Sequence, residues 1–197
     1  MRYWVIAILL LSACEPESSA PCVEEGRLFE KAPFPIGVAV QADPFNFDFA
    51  YFEHAVEHFN SITPGNALKM DQLQPVEGIF DFVEADSLVN NAIRNNMRVH
   101  GHTLIWHSQT PSWLNNFSGD REAWLALMRN HIQTVIVHFK GRIQSWDIVN
   151  EAFNENGSLR DTPWREGIGD DYIEQAFMFA AEADPDLLLF YNDYNLL

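Results

Sequence analysis

Gln144-Ser145-Trp146-Asp147-Ile148-Val149-Asn150-Glu151-Ala152 starts as a strand and ends in an Asn-Glu pair. Its apolar residues, Trp146, Ile148 and Val149, are β-formers without a helical period. Glu151 stands where the strand runs out, just before the loop Asn154-Glu155-Asn156-Gly157-Ser158. In a β/α barrel the chemistry is done at the C-terminal strand ends, so Glu151 is a candidate catalytic carboxylate. The plain alternative is a strand-end acid with no role. This stretch leaves both readings open, and the flanking chain has to decide between them.

Upstream, residues 121–140 carry Trp124, Leu127, Met128, His131, Ile132, Val135 and Phe139 on one broad face, a long helix ended by Gly141. The fourth strand, residues 143–150, follows it. Before the helix, Arg98-Val99-His100-Gly101-His102-Thr103-Leu104-Ile105-Trp106-His107 predicts the third strand, leaving through Ser108-Gln109-Thr110-Pro111-Ser112-Trp113. Residues 83–95 predict a helix whose apolar face is Val83, Leu88, Val89, Ala92 and Ile93. Ser61-Ile62-Thr63 opens the second strand, and residues 34–40 form the first. Residues 43–46 read as a loop. Residues 48–59 read as an amphipathic helix through Phe49, Phe52, Ala55, Val56 and Phe59, with Asp48 near its start. Downstream, residues 171–183 predict a helix stopped by Asp184-Pro185. Residues 187–191 predict a fifth strand, followed by Asn192-Asp193-Tyr194-Asn195.

Strand and helix alternate throughout, which argues for parallel strands joined by right-handed crossovers. A doubly wound sheet is the rival. It would often carry a Gly-rich phosphate loop after an early strand, and the sequence has none. The fold class is therefore α/β: a (β/α)8 TIM barrel of which about the first five β/α units are present.

The composition is that of a globular domain, with 47% hydrophobic and 20% charged residues in 197. A formal net charge of -16 argues against nucleic acid and anionic membrane surfaces as partners and suits a neutral substrate. Residues 1–13 read as an export leader, with Arg2 followed by an apolar run too short to span a bilayer. Leu11-Ser12-Ala13-Cys14 resembles the lipobox of bacterial lipoproteins, which makes Cys14 a lipidation site and places the protein in the bacterial cell envelope, lipid-anchored; ordinary secretion is the alternative. Residues 14–30 read as a polar tether. Cys14 and Cys22 cannot build a disulfide framework or a metal cluster. His100, His102 and His107 do not make a metal site, because His107 alternates away from the other two. Trp124 reads as core, Asp147 as a partner in a local ion pair, and Glu155 as solvated.

Five segments together resemble glycoside hydrolase family 10, the retaining endo-1,4-β-xylanases. They are Phe59-Asn60-Ser61-Ile62-Thr63-Pro64-Gly65-Asn66-Ala67-Leu68-Lys69; Gln74-Pro75 through Gly78-Ile79-Phe80; Gly101-His102-Thr103-Leu104-Ile105-Trp106-His107-Ser108-Gln109-Thr110-Pro111-Ser112-Trp113; Trp146 through Ala152; and Asn192-Asp193-Tyr194-Asn195. The resemblance implies hydrolysis of internal β-1,4 bonds of xylan, with xylan or xylooligosaccharide as substrate, no cofactor and no metal. Glu151 matches the general acid/base. Asn150 matches the residue that hydrogen-bonds the 2-hydroxyl of the sugar being cleaved. Asn66 and Lys69 match donors to the next sugar on the non-reducing side. His102, Trp106 and Gln109 match the floor and wall of that cleft, and Tyr194 and Asn195 its leaving-group side. A cis peptide between His102 and Thr103 is a further implication. Asn150 and Glu151 are neighbours, so both can face sugar only if the strand bulges or bends. One position departs from the pattern: family members often carry Glu where Gly65 stands, which implies weaker binding of the distal sugar.

Retaining hydrolysis needs two carboxylates about 5 to 5.5 Å apart, and in the family the nucleophilic Glu comes from strand seven. The expectation is that it lies beyond the end of this chain, which alone is then poorly soluble and inactive. The alternatives are another β-glycanase, cellulase-like, and a surface lipoprotein that binds xylan without cutting it.

Overall fold

The computed structural model describes residues 26–194. The leader, Cys14 and Asn195 lie outside the described residues. The element order is α1 (Leu28–Lys31), β1 (Gly37–Val40), α2 (Ala42–Phe47), α3 (Phe49–His58), β2 (Ser61–Pro64), α4 (Met70–Leu73), α5 (Val83–Arg94), β3 (Arg98–Ile105), α6 (Arg121–Phe139), β4 (Ser145–Asn150), α7 (Pro163–Ile168), α8 (Tyr172–Ala183) and β5 (Leu188–Asn192). A single 3₁₀ turn, Leu114–Asn116, lies between β3 and α6.

Local chemistry sets the helix ends. Asp48 accepts from Tyr51 N and Asp120 from Ala123 N, each capping the helix that follows. Thr162 caps α7, and Pro163 takes the first helical position, where a missing N–H costs nothing. Gly141, with φ of 76°, turns the chain out of α6. The expected loop at residues 43–46 is instead part of α2. Pro44 falls in the first turn, where it breaks no intrahelical bond, and Phe45 is buried edge-on against Phe52. Six residues are too few to display a helical period, which also kept α7 out of the sequence reading. α1 takes in the last residues of the stretch read as tether.

The strands are parallel and ordered β1-β2-β3-β4-β5. Each strand pairs with its sequence neighbour and the order never reverses. That is the wall of a β/α barrel; a doubly wound sheet has a switch point. α5 packs on β3, α8 on β4 and β5, and α6 on α8. One apolar cluster fills the space between sheet and helices, with Ile62, Val99, Trp146 and Ile148 from the strands meeting Val89, Ile132, Val135 and Ala180 from the helices. Each fully buried Val or Ile side chain among these contributes about 1.5–3 kcal/mol. Gly101 is required by this packing: a Cβ there would run into the Trp146 ring.

β3 and β4 depart from ideal pairing near their C-terminal ends. Their register shifts between His102 and Ile105, and β4 and β5 slip between Asp147 and Val149. These irregularities fall on the strand ends that carry the candidate residues.

Candidate active site

Glu151 is the first residue past β4 and adopts a left-handed backbone, φ 53°. This conformation is uncommon for a residue with a side chain, and several contacts hold it. Glu151 N donates to Asn192 O (2.8 Å), Arg160 Nε to Glu151 O (3.1 Å), and Ala152 N to the Tyr191 hydroxyl (3.1 Å). The Tyr191 hydroxyl in turn donates to Asp193. The turn answers the geometric problem posed by adjacent Asn150 and Glu151. The slip in β4 and the left-handed step bring both side chains to the same end of the sheet. There the carboxamides of Asn150 and Asn192 are 2.7 Å apart.

The Glu151 carboxylate accepts from Trp106 Nε1 (2.9 Å), and His107 Nε2 lies 4.0 Å from the same oxygen. Burial holds the His107 imidazole below its usual range; Arg160 adds to this, while Glu151 and Asp193 oppose it. The group beside the carboxylate is thus biased toward neutral imidazole.

From Trp106 a polar row runs outward. Lys69 Nζ sits 4.9 Å from the Trp106 ring centroid. It donates to Asn66 Oδ1 (3.1 Å) and to Gln109 Oε1. Gln109 Nε2 reaches Asn66 Oδ1 (3.1 Å), and Asn66 Nδ2 donates to Gln41 Oε1 (3.1 Å). Burial pushes Lys69 below the ordinary ammonium range, against the pull of Asp71 and Glu151. The residues of this row lie within five positions past the C-terminal ends of β1, β2 and β3.

Behind the row, Asp147 joins two histidines. Its Oδ2 lies 2.8 Å from His102 Nδ1 and its Oδ1 3.2 Å from His100 Nε2. Burial alone would raise the Asp147 carboxyl; the hydrogen bonds from His100 and His102 outweigh it and hold the group below its usual range. The His102-Thr103 peptide is cis.

The model of the family Glycosyl hydrolase family 10 matches residues 26–197. The chain belongs to this family. It is 41% identical over 191 residues to endo-1,4-beta-xylanase B of Thermotoga neapolitana, covering 96% of this chain and 55% of that protein. Among solved structures it resembles xylanase 10B of Thermotoga petrophila in complex with xylobiose, with TM-score 0.82, 40% identity, and 86% of this chain against 54% of that one. It also resembles a mutant of xylanase 10C of Cellvibrio japonicus in complex with xylopentaose, with TM-score 0.83, 41% identity, and 87% of this chain against 37% of that one. The chain spans about half the length of the curated relative and of the first of these structures. The five-stranded wall is therefore part of a (β/α)8 barrel.

Within this family 10 chain, Asn66, Lys69, Gln109, His102, Trp106, Asn150 and Glu151 gather at one end of the sheet. Tyr194 is exposed, with its hydroxyl 3.4 Å from Arg160 Nη2. Strand alternation, which would set His102 and Trp106 on one face four residues apart, does not explain how they meet. The alternation breaks after His102, and Thr103, Leu104 and Ile105 are all buried. The two ring centroids are 6.3 Å apart, across the stretch where β3 loses its regular register and ends. The sequence reading missed Arg160, Tyr191 and Asn192 as supports of Glu151. Each meets a main-chain group of Glu151 or Ala152, so the residues around Glu151 give no sign of it. Asp147 was expected in an ion pair, and the period-two match of His100 and His102 was the signal for its partners.

Proposed function

We propose that this chain contributes the acid/base half of an endo-1,4-β-xylanase site. Glu151 protonates the departing glycosidic oxygen and then takes a proton from the incoming water. Asn150 binds the 2-hydroxyl of the sugar being cleaved. Asn66 and Lys69 grip the next sugar on the non-reducing side, with His102, Trp106 and Gln109 as the walls, and Tyr194 and Asn195 line the leaving-group side. The observation that carries the reading is the pinned, left-handed Glu151 at the end of β4, with the indole N–H of Trp106 on its carboxylate. Relatives named as xylanases, two of them solved with xylobiose or xylopentaose, support xylan as the substrate. The double displacement also needs a nucleophilic carboxylate, and this reading assigns that role to none of the described residues.

The test is Glu151→Gln in the complete protein. We expect turnover of xylan to fall about 100- to 10,000-fold. Aryl xylobiosides whose leaving group departs without a proton should lose less in the glycosylation step. An equal loss on both substrates would remove the acid role. Cellulose in a parallel assay distinguishes a xylanase from a cellulase-like β-glycanase.

The same proposal places the protein at the bacterial cell envelope through lipid on Cys14, supported by the leader-like residues 1–13. Cys14→Ser should move the protein from the membrane fraction to the soluble one. Unchanged fractionation would sink the anchor.

A further inference from the structure

Gly65 follows β2, and its N–H donates to Val40 O at the end of β1 (2.8 Å). This tie brings Gln41, the next residue after β1, over the Gly65 Cα. A Cβ built on Gly65 would lie 2.5 Å from Gln41 Nε2. The Gln41 amide therefore occupies the volume that any side chain at position 65 would need first. It is not there by default. Its Oε1 accepts from Asn66 Nδ2, its backbone oxygen accepts from Phe45 N, and its backbone N–H points to the Tyr51 hydroxyl. These contacts fix both ends of the residue.

What remains is Gln41 Nε2. Among the described residues its two N–H groups have no hydrogen-bond acceptor, and Gln41 is exposed. It lines the same depression as Asn66 and Gln109. Read from Glu151, the order is Trp106, Lys69, Asn66, Gln41, each joined to the next. Gln41 thus ends a continuous polar row, one step farther from the scissile bond than the residues assigned to the neighbouring sugar. A carboxamide is uncharged, and with its oxygen already engaged it offers donors. Sugar hydroxyl oxygens are acceptors suited to such donors.

We infer that Gln41 is a substrate-binding residue, donating from Nε2 to a hydroxyl of the distal sugar on the non-reducing side, and that Gly65 is the partner that leaves room for it. The inference rests on the xylan reading above. It also revises the expectation from Gly65 alone: the lost side chain at position 65 is replaced from β1, so distal binding is retained.

The experiment uses the complete protein and two probes, an aryl β-xylobioside and an aryl β-xylotrioside, and reads the ratio of kcat/KM for the longer over the shorter. One neutral hydrogen bond corresponds to about a fivefold to tenfold effect. Gln41→Ala should lower the ratio by that factor, through KM on the xylotrioside. Gly65→Ala should do the same, because the new methyl displaces the end of a flexible side chain and leaves the backbone in place. The double variant should fall no further than either single one, since both remove one contact. An unchanged ratio in Gln41→Ala, or losses that multiply in the double variant, would overturn the inference while leaving the xylanase reading intact. A wild-type protein that hydrolyses neither probe nor xylan overturns the reading itself, and this inference with it.

Discussion

β4 and β5 lie side by side, both are built from β-forming residues, and their surroundings are opposite. Every residue of β4 is buried, including the polar Ser145, Asp147 and Asn150. In β5 the apolar Leu188 and Phe190 are exposed. Position in the sheet decides this, against the preference of the side chains. β4 has a strand on each side and α8 behind it; β5 is an outer strand of the described sheet. The polar residues of β4 tolerate burial because each has a partner: Ser145 with His100, Asp147 with His100 and His102, and Asn150 with Asn192. The catalytic candidate grows out of the strand held most firmly on both sides, which is what a preorganised carboxylate requires.

The largest expected effect tests the rigid side of this contrast. Trp146 is 1% exposed, seated on Gly101 and tilted against Phe139. Trp146→Ala should cost about 3–5 kcal/mol in a denaturant unfolding measurement. A loss below about 1 kcal/mol would mean that the centre of the sheet can collapse around the gap, and the contrast with β5 would weaken.

Much of this centre was legible in the sequence. The period-3.6 faces of residues 83–95 and 121–140 and the β-forming run around Trp146 announced the alternation of strand and helix. The Asn150-Glu151 pair left two readings open, and the segments around Lys69 and Trp106 made its strand end the candidate site. What the sequence could not display is what acts through the backbone or through very short elements. The left-handed turn at Glu151 is pinned by Asn192, Arg160 and Tyr191, which come from later segments and touch it through main-chain atoms or a hydroxyl. α2, α4 and α7 have four to six residues each, too few for a period to be counted. The Gln41 amide over Gly65 depends on how β1 and β2 are tied, a fact of register that neither residue carries alone.

A second effect, smaller and dependent on pH, sharpens the contrast from the helix side. His131 of α6 is fully buried, its Nδ1 3.0 Å from Gln74 Oε1. Burial holds its pKa down at about 4, only partly offset by the Leu104 backbone. The unfolded chain binds the proton at higher pH than the folded one does. Stability is therefore complete above the usual histidine range and falls as pH drops from about 6.5 toward 4, by up to about 3 kcal/mol. His131→Gln should remove that slope from unfolding free energies measured between pH 7 and pH 4, whatever it costs at neutral pH. An unaltered slope would show that His131 is protonated without penalty, and that the packing behind the sheet admits water.

The smallest effect on stability is expected at the outer strand, where it tests the other half of the contrast. Leu188 is 54% exposed and pairs with Ser145 along one side only. Leu188→Thr keeps a β-forming residue and removes apolar surface that has little to pack on. The unfolding free energy should change by less than about 0.5 kcal/mol. An open, apolar strand edge is also a template for pairing with another chain. The same substitution in the 197-residue chain should therefore reduce self-association, read by light scattering across a concentration series. If Leu188→Thr costs as much as Trp146→Ala, β5 is not the loosely held strand that its exposure indicates. If scattering is unchanged, the association surface lies elsewhere, and β1, the opposite outer strand, becomes the place to substitute next.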